Sequence, residues 1–153
     1  MLYRRTLLIL VLAAWFCVPL TAHGDEVDDL RASVNKAIAA INARDLDAYA
    51  ATWHDQVVVF SADSPLPIAG KPSYQQAMQD LFTNSESITL APVGLELIVL
   101  GDTGIMQGFY SLTVKPKDGP ARTEFGRVTG THVKSDGNWL LAVLHTSVFP
   151  SGH

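Results

Sequence analysis

The chain has 153 residues, with 15 acids against 11 lysines and arginines for a formal charge of −4, and 48% of its residues are hydrophobic. An acidic chain without a basic stripe argues against a nucleic-acid partner. The single cysteine, Cys17, sits in an apolar N-terminal run, so the remainder has no disulfide, thiol nucleophile or cysteine-ligated metal to draw on.

The N-terminus has the order of a secretory leader. "MLYRR" is basic, "TLLILVLAAWFCVPL" is apolar, and "TAHG" supplies small residues before Asp25. About 15 apolar residues fall short of the roughly 20 that a spanning helix needs, and acidic "DEVDD" follows at once. Residues 1–24 are therefore read as a cleaved signal peptide rather than a stable membrane anchor. Cleavage removes two arginines and no acid, taking the charge from −4 to −6. It leaves residues 25–153 as a single domain of a secreted or periplasmic protein, large enough to bury roughly two-thirds of its unfolded surface.

From Asp25 to about Arg44, Val27, Leu30, Val34, Ala37, Ile38 and Ile41 recur at helical spacing. "NARD" breaks that helix, and Asp45 is placed to cap a short second one carrying Leu46, Tyr49, Ala50 and Trp53. "HDQ" is expected to end it, with His54 and Asp55 in the terminating turn, and "VVVF" reads as a short buried strand. "SADSPLPIAGKP" is loop, and Pro72 opens a third helix over about Ser73 to Phe82. Past residue 87 the pattern is sheet: strands at about 88–100, 105–115, 122–134 and 139–149, joined by "GDTG", "KPKDGPA" and "SDGN". Helices followed by an antiparallel meander make an α+β domain.

The closing strand poses a question of its own. Trp139, Leu141, Val143, His145 and Ser147 alternate with Leu140, Ala142, Leu144, Thr146 and Val148, and both sets are largely apolar. A strand apolar on both faces needs two covers, here the helices on one side and a second subunit on the other.

Together "INARDLDAY", "AGKPSYQQAMQDLF", "ARTEFGRVTGTHVKSDGNW" and "LLAVLHTSVFP" resemble the nuclear transport factor 2-like (SnoaL-like) superfamily, from about Val27 to Pro150. Within it the likeness is closest to the association domain of calcium/calmodulin-dependent protein kinase II and its stand-alone bacterial relatives. The resemblance implies a cone-shaped, curved antiparallel sheet with three N-terminal helices on its concave side. It also implies a homodimer or larger ring built through the outer face, and a small molecule held in the cone. The arginines that line the kinase domain's pocket fall here on Tyr110, Gly130 and Thr146, none of them basic. The first-helix tyrosine of ketosteroid isomerase has no counterpart among Val34, Ala37, Ile38 and Ile41.

Side-chain placement hinges on the hairpin "KSDGNW". A bulged turn would pair Lys134 with Asn138 and put His132, Gly130, Val128 and Gly126 on the concave face with Thr146. His145 would then face outward, across from Arg127 and beside Trp139. A two-residue Asp-Gly turn would instead put His145 with Val128 and His132. On the first pairing, Trp53, Tyr74, Tyr110, His132 and Thr146 are the expected ligand-binding residues. Arg127, Trp139, Val143 and His145 are the expected interface. Glu124 reads as an ion-pair partner of Arg127. If the protein is an enzyme of isomerase, dehydratase or cyclase type, His132 or His145 is its acid–base candidate. The other readings are a binder of a small, largely apolar ligand and a pure association module whose pocket is filled by side chains. The histidines at 54, 132, 145 and 153 lack metal-ligand spacing, and no phosphate-binding loop or nucleophile elbow occurs, so no metal and no cofactor is expected.

Overall fold

The computed structural model describes residues 23–149. The expected leader lies outside them except for His23 and Gly24, which begin the first helix. Chain order is α1 (His23–Ala43), α2 (Leu46–Ala50), β1 (Trp53–Phe60), β2 (Ile68–Ala69), α3 (Lys71–Asn84), β3 (Ser85–Leu100), β4 (Thr103–Pro116), β5 (Arg122–Ser135) and β6 (Asn138–Val148). The α+β reading holds, with a single curved, unclosed sheet ordered β2-β1-β6-β5-β4-β3.

The sheet has six strands where five were expected, the short "VVVF" strand and the four of the meander. "WHDQ" does not close α2: it is the first half of β1, which runs parallel to β6 and buries Trp53, Val57 and Val59. Within the presumed loop, Ile68 and Ala69 pair antiparallel with Val59 and Val58. Asp45 caps α2 as its position predicts, its carboxylate accepting from Ala48 N at 2.9 Å.

The β5–β6 hairpin departs from the bulged turn. Asp136 (φ 49°) and Gly137 (φ 78°) form a two-residue turn with both residues left-handed, pairing Ser135 with Asn138. Alone, this would reverse the facing of everything downstream. An extra residue in β6, Ala142, lies between the His132–Leu141 and Thr131–Val143 pairs and restores the phase. Trp139 and Leu141 therefore point inward near the turn, and Leu144 and Thr146 point inward beyond the bulge. Gly130, Val128 and Thr146 share the concave face as expected, but the register is shifted: Gly130 pairs with Leu144, Val128 with Thr146, His145 lies opposite Thr129 rather than Arg127, and Arg127 opposite Ser147.

A second bulge in β3, between Val93 and Glu96, carries Gly94 at φ 59°. It switches the inward set from Ile88 and Leu90 to Leu95, Leu97 and Val99, and it bends the strand around the helices. One core cluster joins Tyr49, Trp53, Tyr74, Met78, Phe82 and Ile88; another joins Leu30 and Val34 to Met106 and Trp139. A Cβ on Gly104 would lie 2.7 Å from Leu30 Cδ2, so glycine lets α1 settle onto β4. Polar contacts fix α1 along its length: Ser33 Oγ donates to Trp139 O at 2.7 Å, and Asn42 both accepts from Leu90 N at 2.7 Å and donates to Leu90 O at 3.1 Å.

Candidate functional site

A helix that bridges a curved sheet cannot touch it everywhere, and the gap left here is a cavity of about 240 Å³ between the three helices and the concave face. Its walls are mainly Ala37, Ile38, Met78, Ile88, Leu112 and Leu144, so it is an apolar slot with a few polar groups.

Two of those groups are the hydroxyls of Tyr49 on α2 and Tyr74 on α3, hydrogen-bonded at 2.8 Å within the wall. Both rings pack on Trp53, at 4.7 Å and 4.3 Å between centroids. Burial pushes both phenols up, Tyr74 the further, so both are neutral donors and acceptors.

His132 lies in the same wall at 4% exposure, with Nδ1 lacking a hydrogen-bond partner. Burial pulls its imidazole down to about 4, so the ring is neutral at pH 7 and offers one N–H and one lone pair. Gly130, two residues earlier on this face, leaves room beside it: a Cβ there would meet Met106 Cε at 2.9 Å.

Where the loop after β1 covers the cavity, Asp63, Tyr110, Glu124 and Thr146 converge. Tyr110 Oη donates to Glu124 Oε1 at 3.3 Å, and Thr146 Oγ1 accepts from Ala62 N at 3.4 Å, tying loop to sheet. Burial, with the Glu124 charge beside it, pushes the Tyr110 phenol up to about 12. Burial, and then the like charge of Asp63, holds the Glu124 carboxyl above its ordinary range. Among the described residues no lysine or arginine lines the cavity.

Of the residues expected at a ligand site, Tyr74, Tyr110, His132 and Thr146 line this cavity, while Trp53 stands behind the wall and supports the two tyrosines. Val143, Arg127 and His145 are exposed on the convex face, with His145 6.2 Å from the ring of Phe60. Trp139 belongs elsewhere: the Ala142 bulge turns it inward, and it is 3% exposed beneath α1. Glu124 does not pair with Arg127, because the two point to opposite faces of β5; Arg127 stacks 4.4 Å above the ring of Phe149. His54 and Asp55 form no side-chain pair. His54 Nδ1 accepts from Gln56 N, and Asp55 lies 3.8 Å from Lys71. Reading the residues missed Glu124, Asp63 and Tyr49 as site groups. Glu124 was within reach, since it has the same parity on β5 as Gly126, Val128 and Gly130. Asp63 carries no periodic signal at all. Among the described residues no three histidine, cysteine or acidic side chains gather as a metal site.

Comparison with known proteins agrees with this architecture. The chain belongs to the SnoaL-like domain family, whose model matches residues 30–151, within the nuclear transport factor 2-like superfamily. A protein from Streptomyces avermitilis assigned as a dehydratase of the NTF2-like family superposes with a TM-score of 0.76 at 15% identity, covering 84% of this chain and 99% of its own. One from Novosphingobium aromaticivorans assigned as a scytalone dehydratase gives 0.75 at 14%, covering 84% and 89%. A Xanthomonas campestris protein assigned as a calcium/calmodulin dependent protein kinase II association domain gives 0.71 at 20%, covering 81% and 88%. At these identities the likeness is one of fold. A search of curated proteins finds no match.

Proposed function

We propose that this protein is an exported, self-associating binder that holds a small, largely apolar molecule in its cone. The observation that carries the reading is the 240 Å³ cavity itself, apolar in its walls yet furnished with the unpartnered imidazole of His132. A pure association module has no use for such a space and would fill it with side chains. Self-association is supported by the convex face, where Phe60, Phe109 and Phe125 are 46%, 47% and 58% exposed. Export rests on the leader-like composition of residues 1–24.

Native mass spectrometry of protein purified from its host without organic solvent tests the binding. A bound molecule of discrete mass is expected, absent from Ala37→Phe, which places a ring in the cavity. A protein that carries nothing and takes up no hydrophobic fluorescent dye would refute it.

A second reading, a small acid–base enzyme, is favoured by one observation. Glu124 is a carboxyl raised by burial and by Asp63, in contact with a phenol at the edge of an apolar slot. Two of the similar structures are assigned as dehydratases, which suits proton transfer. In that reading Glu124 moves the proton, and the neutral His132 orients the substrate. His145 has no part in it, being on the other side of the sheet.

A further inference from the structure

Tyr49 and Tyr74 are each hydrogen-bonded, yet the pair holds one hydrogen more than its bond uses. Two phenols carry two O–H groups, and the contact at 2.8 Å engages one of them, whichever ring donates. The second hydrogen has no acceptor among the described residues. Trp53, packed on both rings, cannot take it, because its indole N–H is a donor and is itself buried without a partner. Two other hydroxyls of the lining already have acceptors: Thr52 Oγ1 donates to Tyr49 O, and Ser33 Oγ to Trp139 O, both at 2.7 Å. The phenol pair therefore faces the cavity with a donor left over.

Tyr49 and Tyr74 are 4% and 5% exposed, and both line the cavity. Packed with them in one cluster are Ala37, Ile41, Met78 and Leu81, which line it too and offer no main polar group. A leftover donor in such a wall is costly until an acceptor meets it. The acceptor that fits is one without a hydrogen of its own. An alcohol or amine would bring a further donor into the same apolar surroundings. A carboxylate would bring a charge, and among the described residues no lysine or arginine lines the cavity to meet it. A carbonyl oxygen brings neither. The phenol that accepts within the pair is also the stronger donor outward, since each hydrogen bond in a chain polarises the next.

Resting on the reading of the cavity as a binding site, we infer that its ligand is a neutral, largely apolar ketone or aldehyde. Its carbonyl oxygen accepts the hydrogen that the Tyr49–Tyr74 bond leaves over, and its apolar body lies along the slot.

Titration calorimetry with acetophenone, 1-phenylethanol and ethylbenzene, three molecules of nearly one shape, tests the carbonyl preference. On the wild-type chain acetophenone is expected to bind about fivefold or more tighter than ethylbenzene, the discrimination of one hydrogen bond, with 1-phenylethanol between them. In Tyr49→Phe/Tyr74→Phe the preference for acetophenone should fall below about twofold, with ethylbenzene still bound. If the double variant does not fold, the infrared carbonyl band of acetophenone on the wild-type chain decides. That band is expected near its frequency in an alcohol, and a band at its hydrocarbon frequency would overturn the inference. Ethylbenzene or 1-phenylethanol binding as tightly as acetophenone would overturn it too, while leaving the cavity a binding site. If none of the three binds, the binding reading falls, and this inference with it.

Discussion

Tyr49 and Tyr74, from two different helices, meet hydroxyl to hydroxyl at 2.8 Å in the wall of the cavity, and Trp53 holds both rings in place. The pair is the only link between α2 and α3 made by buried polar side chains among the described residues, and it is satisfied only as a pair. Tyr74→Phe would take from the Tyr49 hydroxyl its hydrogen-bond partner in a buried, mainly apolar wall. The expected loss is about 1–3 kcal/mol of unfolding free energy in urea. The double variant Tyr49→Phe/Tyr74→Phe should lose less than the two single losses added together, since no hydroxyl is then left unpaired.

Gly126 permits the Tyr110–Glu124 contact. A Cβ there would strike Ser147 O and come within 2.7 Å of the Tyr110 ring. Gly126→Ala must push β6 or the ring aside, and overpacking of this kind costs about 1–3 kcal/mol. The expected result is a lower melting temperature together with weaker ligand binding. Gly137→Ala serves as the comparison, because the space around Gly137 is open and its cost is that of a left-handed backbone at φ 78° alone. It should lower stability without touching binding.

How far the sequence could be read follows from where its phase changes. The helices were legible because Leu30, Val34, Ala37 and Ile41 keep one period from start to finish, and Asp45 caps in place. The last strand was legible as a strand but not as a pairing. Its two apolar alternations looked like two buried faces, whereas much of the pattern is one face interrupted: Trp139 and Leu141 point inward before Ala142, Leu144 and Thr146 after it. A bulge of one residue leaves no mark in composition, so simple alternation places Trp139 on the convex side although it lies beneath α1. β1 was cut short because parallel pairing with β6, some 85 residues away in sequence, is a tertiary effect that overrides the polar look of "HDQ". Asp63 was invisible for a related reason, since a loop residue reaches a site by topology rather than by period.

Buried neutral histidine makes stability depend on pH in a predictable sense. In the folded chain the His132 imidazole takes up a proton only near pH 4, whereas in the unfolded chain it does so near 6.5. Between those values the unfolded state binds more protons, so this contribution is fully present above pH 6.5 and is lost as the pH falls toward 4. His132→Leu removes the group and with it the dependence, although its packing effect shifts stability by a constant. Going from pH 7 to pH 4.5, the wild-type chain should lose about 2–3 kcal/mol more than His132→Leu in chemical denaturation. Parallel losses in the two proteins would mean that the ring is charged or solvated in the fold.

The convex face carries the last prediction. Val143 is 38% exposed at the middle of β6, opposite Thr131 on one side and Val58 on the other, with Phe60 and His145 one step along. In a lone chain a glutamate at this position would keep its charge in water and cost the fold little. In a dimer built through this face the same carboxylate would be buried without a cation, because the nearby pairing positions on β5 are threonines and Arg127 is held over Phe149. Sedimentation equilibrium on residues 25–153 should therefore give at least twice the monomer mass for the wild-type chain and the monomer mass for Val143→Glu. The variant's circular dichroism should remain that of a folded protein. Val143→Thr, similar in shape and uncharged, should stay assembled with weakened affinity. A wild-type chain that sediments as a monomer would leave Phe60, Phe109 and Phe125 without a partner subunit, and the association reading would fail there.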